Sequence, residues 1–285
     1  MAQSSVLSPQ SFSDGCEGRS VKRLEGKVAV VTGGGRGIGR AVALAYAREG
    51  ATVAVAARTR REVDQVAAEA ALAGGRALAF STDATDESAV GRLVDGVLAA
   101  FGRCDILVNA AGIPGPVAEV ADLGLAEWEA GLRGNLRPAF LCCRAVIPHM
   151  RRQGSGKILN VASGLAVRPL PGISAYGASK AAIVQFSRIL ALEERPHALQ
   201  VFAVHPGVVR TAVLEGLFDP GGTRTPAAIR DRINRIEAAG HLLTPEESAR
   251  LFVYLATDAA NDLAAQFVRI DDPAIQARLS TFFGA

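Results

Sequence analysis

The sequence predicts an α/β fold: a doubly wound parallel sheet of about seven strands with helices on both faces, in a single domain. Three observations carry that prediction. Short apolar runs alternate with helical patterns along the chain. A glycine-rich turn stands between the first apolar run and the first helical pattern. Apolar residues make up 49% of the 285 residues but aromatics only 5%, so small aliphatic side chains supply most of the core. Such side chains suit helices packed closely on a parallel sheet better than a β-sandwich.

The elements follow in chain order. Residues 1–23 are rich in Ser and Gly, lack the apolar stretch of a secretory signal, and read as a disordered extension. Val28–Thr32 is a continuous apolar run, the pattern of a strand buried on both faces. A helix follows over about Ile38–Glu49 and stops at Gly50. Thr52–Ala57 is the second strand, and Arg61–Ala73 is a helix ended by Gly74 and Gly75. Ala77–Ser81 is the third strand, followed by the helix Glu87–Phe101, which Gly102 ends. Ile106–Asn109 is the fourth strand, and a long helix lies within Ala126–Arg152. Lys157–Val161, Val201–Val204 and Gln266–Ile270 complete the strands, with helices over Ala175–Glu194 and Pro245–Ala256. Strict alternation implies right-handed crossovers and a parallel sheet. The stretch 212–243 breaks the rhythm, with a turn at Asp219–Gly222 and a charged helical stretch over about Ala227–Ala239. An interruption of this length usually carries function. No linker divides 24–272, and 273–285 reads as a C-terminal tail.

A net charge of +3 with no Lys/Arg block argues against a nucleic-acid partner. No apolar run reaches membrane-spanning length. The four cysteines, Cys16, Cys104, Cys142 and Cys143, have no CxxC spacing and read as free thiols of a cytoplasmic protein. His149, His197, His205 and His241 are scattered, suit no metal site, and read as structural or surface residues.

The turn Thr32-Gly33-Gly34-Gly35-Arg36-Gly37-Ile38-Gly39 has the features of a pyrophosphate cradle. Glycines let the backbone turn sharply and approach the phosphates, and the helix that follows presents free N–H groups at its positive end. Its place after the first strand makes the signal specific. A site for NAD places an acid at the end of the second strand. Here that strand ends Val55-Ala56-Ala57 and is followed by Arg58 and Thr59. Arg58, with Arg36 beside it, can take a 2′-phosphate by forked, charge-assisted contacts. NADP(H) is therefore the expected cofactor.

Tyr176 and Lys180 stand one helical turn apart and so share a face. A phenol with a reference pKa near about 10 is a poor base at neutral pH. A neighbouring ammonium is expected to lower that value and to make the pair a proton donor and acceptor. Ser163 follows the fifth strand, at the carboxyl end where crevice residues sit, and can donate to a substrate oxygen.

Together these residues resemble the short-chain dehydrogenase/reductase family, in its compact, single-domain, NADP-preferring branch with a Rossmann-type sheet. The resemblance is carried by Thr32–Gly39, Asn109-Ala110-Ala111-Gly112, Asn135, Ser163, Tyr176 with Lys180, and Pro206-Gly207. The interval of 13 residues from Ser163 to Tyr176 matches the family's spacing. The match runs over about 24–270. It implies an enzyme that transfers a hydride between NADP(H) and a carbonyl or secondary alcohol, with Tyr176 as general acid/base. Lys180 would also bind the nicotinamide ribose, Ser163 would polarise the carbonyl, and Asn135 would support a water chain toward Lys180. Asn109 would help hold the cofactor and the central strand, with Ala110 and Gly112 beside it. Asp83 and the backbone of Ala84 would meet the adenine, and Gly33, Gly35, Gly37, Ile38 and Gly39 the pyrophosphate. Pro206, Gly207, Val209 and Thr211 would close over the nicotinamide. A homodimer or homotetramer is implied as well. The chain departs from the pattern at Ala110, where the family has Asn. It departs again at Asp271 and Asp272, where small residues usually stand.

Residues that follow the motifs form the candidate substrate wall. They are Ile113 and Pro114, Gly164 and Leu165, Leu170 and Ile173, and Leu214, Leu217 and Phe218 in the long insertion. Mostly apolar, they point to an uncharged, hydrophobic carbonyl or alcohol as the small-molecule partner. Two alternatives stand beside this reading. One is a 3-oxoacyl-thioester reductase, for which Arg133, Arg137 and Arg168 would form the basic patch for a carrier. The other is a non-catalytic NADP-binding regulator, against which the complete set of four candidate catalytic residues argues.

Overall fold

The computed structural model describes residues 22–212, 214 and 227–284. The expected extension up to Val21 therefore lies outside the described residues, as do Cys16, Leu217 and Phe218. Arg23 already belongs to the folded body, because its guanidinium pairs with Glu49 at 2.9 Å.

Seven strands form one sheet in which every neighbouring pair is parallel. They are β1 (Val28–Thr32), β2 (Thr52–Ala57), β3 (Arg76–Ser81), β4 (Ile106–Asn109), β5 (Gly156–Val161), β6 (Leu199–His205) and β9 (Phe267–Arg269). Their spatial order is β3-β2-β1-β4-β5-β6-β9. The order reverses between β1 and β4, which opens a crevice at the carboxyl ends of those strands, where doubly wound sheets bind ligands. The apolar runs of β1, β4 and β5 are buried along their whole length because helices cover both faces.

The helices are α1 (Gly37–Arg48), α2 (Arg60–Leu72), α3 (Glu87–Phe101), α4 (Leu125–Gln153), α5 (Ser174–Glu194), α6 (Ala227–Ala238), α7 (Pro245–Ala256) and α8 (Pro273–Phe283). One face of the sheet packs on α1 and α7 through residues such as Val42, Tyr46, Phe252 and Leu255. The other packs on α3 and α4 through Leu93, Val97, Val146 and Met150. Among the described residues no helix is long and apolar enough to cross a membrane. The thiols of Cys104, Cys142 and Cys143 are free and buried. Burial pushes those of Cys104 and Cys142 up to about 12, so they are poor nucleophiles.

Two departures from the sequence reading bear on the site. The paired two-residue strands β7 (Val208–Val209) and β8 (Leu242–Leu243) frame the insertion. Such short pairs carry no periodicity of their own. The expected tail over 273–285 is instead a helix through Phe283, α8. Asp272 caps it by accepting from Ala274 N at 2.9 Å, and Pro273 occupies its first turn. Ile275 and Leu279, one turn apart, are buried, and Phe282 stacks edge-on against Tyr254 of α7.

Candidate active site

The site begins at the β1–α1 turn. Gly33 has φ +65°, and a Cβ there would stand 2.8 Å from the backbone of Ala110 and Ala111. A Cβ on Gly39 would stand 2.2 Å from the carbonyl oxygen of Gly33. The turn therefore holds its shape only with glycine at both positions. Arg36, at the start of α1, makes no side-chain cap, whereas Asp86 caps α3 and Thr244 caps α7. The first N–H groups of α1 thus stay available to an anion. Thr32 Oγ1 donates to Val108 O and accepts from Ala111 N, both at 3.4 Å, and so ties the turn to the end of β4.

From this turn a cavity of about 1130 Å³ runs along the carboxyl ends of the strands. All the residues expected at the pyrophosphate line it, Gly33, Gly35, Gly37, Ile38 and Gly39, and so does Arg36, expected at the 2′-phosphate. Arg58, Thr59, Asp83 and Ala84 line one end. Asp83 accepts from Thr85 N at 2.9 Å and from its hydroxyl at 2.8 Å, which holds its carboxyl below the usual range. Ala110, Gly112, Pro206, Gly207 and Val209 line the middle. Thr211 closes back on the turn, its Cγ2 only 3.3 Å from where a Gly37 Cβ would lie. Asn109 is the exception and does not line the cavity. It is buried, and its amide donates to Asn160 at 2.8 Å, bonding β4 to β5 behind the site. Geometry thus gives it the strand-holding half of its expected role.

The four candidate catalytic residues converge on the same cavity. Tyr176 and Lys180 project from the start of α5, and Ser163 follows β5. The Ser163 hydroxyl accepts from Leu165 N at 3.2 Å and acts on the Tyr176 phenol by lowering its pKa in part. Lys180 Nζ donates to Val161 O at 2.8 Å and lies 5.6 Å from the centre of the Tyr176 ring. Asn135 accepts from Ile113 N at 3.0 Å and donates to Gly131 O at 3.0 Å. A Cβ on Gly112 would stand 2.7 Å from Asn135 Oδ1 and 3.8 Å from Lys180 Nζ, so only a glycine's width separates the amide from the amine.

The electrostatics correct one expectation. Lys180 does not lower the phenol in this arrangement: burial raises the Tyr176 pKa, and Ser163 offsets only part of that. Burial pushes Lys180 itself down to about 8, and one of its N–H donors goes to the Val161 carbonyl. Lys157, the second residue of β5, is likewise pushed down to about 8 by burial. Both lysines titrate near 10.5 in the unfolded chain, which therefore binds more protons between about pH 8 and about pH 10. Without nucleotide, these two lysines alone make the urea midpoint rise with pH across that window, while the buried thiols, which ionise in the unfolded chain from about pH 9, pull it the other way. The difference between wild type and Lys180→Met isolates the lysine: the variant is expected to gain less stability from about pH 8 to about pH 9, and equal pH dependence in the two would contradict the burial of this ammonium group.

The substrate wall divides in two. Ile173 and Tyr176 pack with Val117, Leu165, Leu170 and Leu214 into an apolar cluster at the cavity. Ile113 and Gly164 also line the cavity, whereas Pro114 does not. The same cavity is also lined by groups the sequence reading left outside the substrate pocket: His205, Arg168, Asp271 and Gln276. His205 is buried and accepts from Gly164 N at 2.9 Å, directly after Ser163. Its place before Pro206-Gly207 was the available signal. Of the three arginines expected in a carrier patch, Arg168 lines the cavity and Arg133 and Arg137 do not. At the other end Glu62, in the first turn of α2, adds a carboxylate that the sequence reading missed. A Cβ on Gly35 would stand 2.8 Å from Glu62 Oε2.

The profile of the short chain dehydrogenase family matches residues 27–220. The D-threitol dehydrogenase of Mycolicibacterium smegmatis is 38% identical over 239 residues, 84% of this chain and 88% of that protein. The cis-4-hydroxycyclohexanecarboxylate dehydrogenase of Sinomonas cyclohexanicum is 36% identical over 86% of this chain and 95% of its own. Among solved structures, a 7α-hydroxysteroid dehydrogenase in complex with NADH and 7-oxo glycochenodeoxycholic acid superposes with a TM-score of 0.79. It is 28% identical, over 88% of this chain and 94% of that one.

Proposed function

The chain belongs to the short-chain dehydrogenase family of oxidoreductases, and from that premise we propose that it interconverts a carbonyl and a secondary alcohol on a small molecule with NADP(H). The observation that carries this reading is the convergence of Ser163, Tyr176 and Lys180 at one end of a cavity whose other part is the uncapped β1–α1 turn. The bound nicotinamide supplies or accepts the hydride. The protein's own groups manage the proton and the orientation. Tyr176, whose burial keeps the phenol protonated at neutral pH, gives its proton to the oxygen as the alcohol forms. Ser163 donates to the same oxygen as charge grows there. Lys180, held by the Val161 carbonyl, fixes the floor beside the ring. Asn135 orders the Ile113 segment next to Lys180.

The preference for NADP(H) rests on Arg58 and Arg36, both exposed and both lining the adenosine end of the cavity. Their guanidinium groups suit a 2′-phosphate, and Glu62 beside them opposes it in part. Arg58→Ala is expected to lower the NADPH:NADH ratio of kcat/KM by about tenfold or more, and Glu62→Gln to raise it. A wild-type preference for NADH would overturn the cofactor assignment. The same reading includes a cytoplasmic homo-oligomer. The exposed Phe140 on α4 and Ile189 and Leu192 on α5 give these helices an apolar outer face, and light scattering tests the assembly.

A further inference from the structure

The cavity that holds Tyr176 has a lining of two kinds. Leu165, Leu170, Ile173 and Leu214 of the apolar cluster around Tyr176 line it. So do the polar groups Arg168, His205, Asp271 and Gln276. A hydrogen-bonded frame ties the two key charges to the reacting end. Arg168 N donates to Gly164 O at 3.0 Å, so its backbone is stapled to the residue after Ser163. Gly164 N donates to the His205 ring at 2.9 Å, and Ile270 N donates to His205 O at 3.1 Å. Asp271 follows directly. Arg168 and Asp271 thus meet across 103 residues of sequence at 3.2 Å, on supports fixed by backbone bonds.

The charges do not balance at the cavity. Arg269 holds Asp271 by two bonds, Nε at 3.0 Å and Nη2 at 2.8 Å. Among the described residues Arg168 contributes a single, longer bond, to Asp271, and the rest of its five N–H donors have no partner there. Asp272 is engaged at the start of α8 and does not line the cavity. Arg210, which also lines it, pairs with Glu237 at 2.8 Å. Among the described residues, the guanidinium groups of Arg168 and Arg269 therefore share the carboxylate of Asp271. An exposed ion pair of this kind is weak, and an incoming carboxylate can engage the free side of the Arg168 fork while Arg269 keeps Asp271.

We propose that Arg168 anchors an anionic group, a carboxylate in its simplest form, on a substrate whose apolar body lies between that group and the reacting carbon, with Asp271 tempering the anchor. The inference rests on the oxidoreductase reading for the identity of the reacting end, and it replaces the uncharged substrate expected from the sequence.

The test compares cyclohexanecarboxylate with its methyl ester, binding each to the full chain by calorimetry with and without saturating nucleotide. The acid is expected to bind with a Kd about tenfold below that of the ester, the scale of one charge-assisted contact. Within each variant the acid:ester ratio is the readout, so loss of folded protein cancels. Arg168→Gln brings the ratio close to one, Arg168→Lys keeps part of it, and Asp271→Asn increases it. Equal Kd values for acid and ester in the wild type, or a preference that survives Arg168→Gln, would overturn the proposal. Turnover of neutral cyclohexanones is scored separately. It tests the oxidoreductase reading, and its failure leaves the binding ratio interpretable.

Discussion

Tyr176→Phe is expected to lower kcat by about 10²–10⁴-fold while nucleotide affinity stays near that of the wild type. The ring of Tyr176 is buried against Ile173 and its apolar neighbours, and phenylalanine preserves that packing. What disappears is the phenolic O–H that the growing alkoxide needs. Fluorescence titration of NADPH, beside steady-state rates on a panel of ketones, separates the two effects. Wild-type turnover in the variant would remove Tyr176 from the acid/base role. A parallel loss of nucleotide binding would point to a structural effect instead.

Gly39→Ala is expected to damage both stability and cofactor binding. The new methyl would lie 2.2 Å from the Gly33 oxygen and 2.7 Å from its carbonyl carbon. Both are backbone atoms, so no flexible side chain can yield. Gly33 cannot retreat either, since its own surroundings include the Ala110 backbone. The start of α1 must move, at a cost of about 3 kcal/mol, the upper part of the range for overpacking. For a chain of this size that lowers the unfolding midpoint by about 6–12 °C. The N–H groups at the start of α1 move with it, and the Kd for nucleotide rises by about tenfold or more. An unchanged midpoint with unchanged affinity would show that the turn is not the close-packed cradle described above.

The centre of the sheet was legible because β1 and β4 are buried on both faces and so are written as apolar runs, whereas the edge strand β3 is exposed or half-buried along its length. The limits of β1, β2 and β4 match the expected ones, and each run ends where glycine or a polar residue begins. Helix α8 was also encoded, by Asp272-Pro273 at its start, Ile275 and Leu279 one turn apart, and Gly284 after its end. Its residues were read as a tail because they follow the last strand. Strands β7 and β8 had no comparable signal, being two residues each and held only by pairing with one another.

The glycine-rich turn, the Tyr176–Lys180 spacing and the position of Ser163 are local facts, and the sequence alone determined them along with the strand order in time. Helix and strand periodicity act over a few residues, so such features survive without knowledge of the rest of the chain. Only the tertiary structure decided what depends on the surroundings of a group. It made burial, rather than the neighbouring amine, govern the Tyr176 phenol. It turned Asn109 onto Asn160 and away from the cavity, and it brought Glu62 against Gly35. It also joined Arg168 to Asp271 over 103 positions, giving an apolar-looking pocket a charged wall. Electrostatic effects depend on distance in space and on the solvent excluded between groups, and neither quantity is written in the order of residues along a chain.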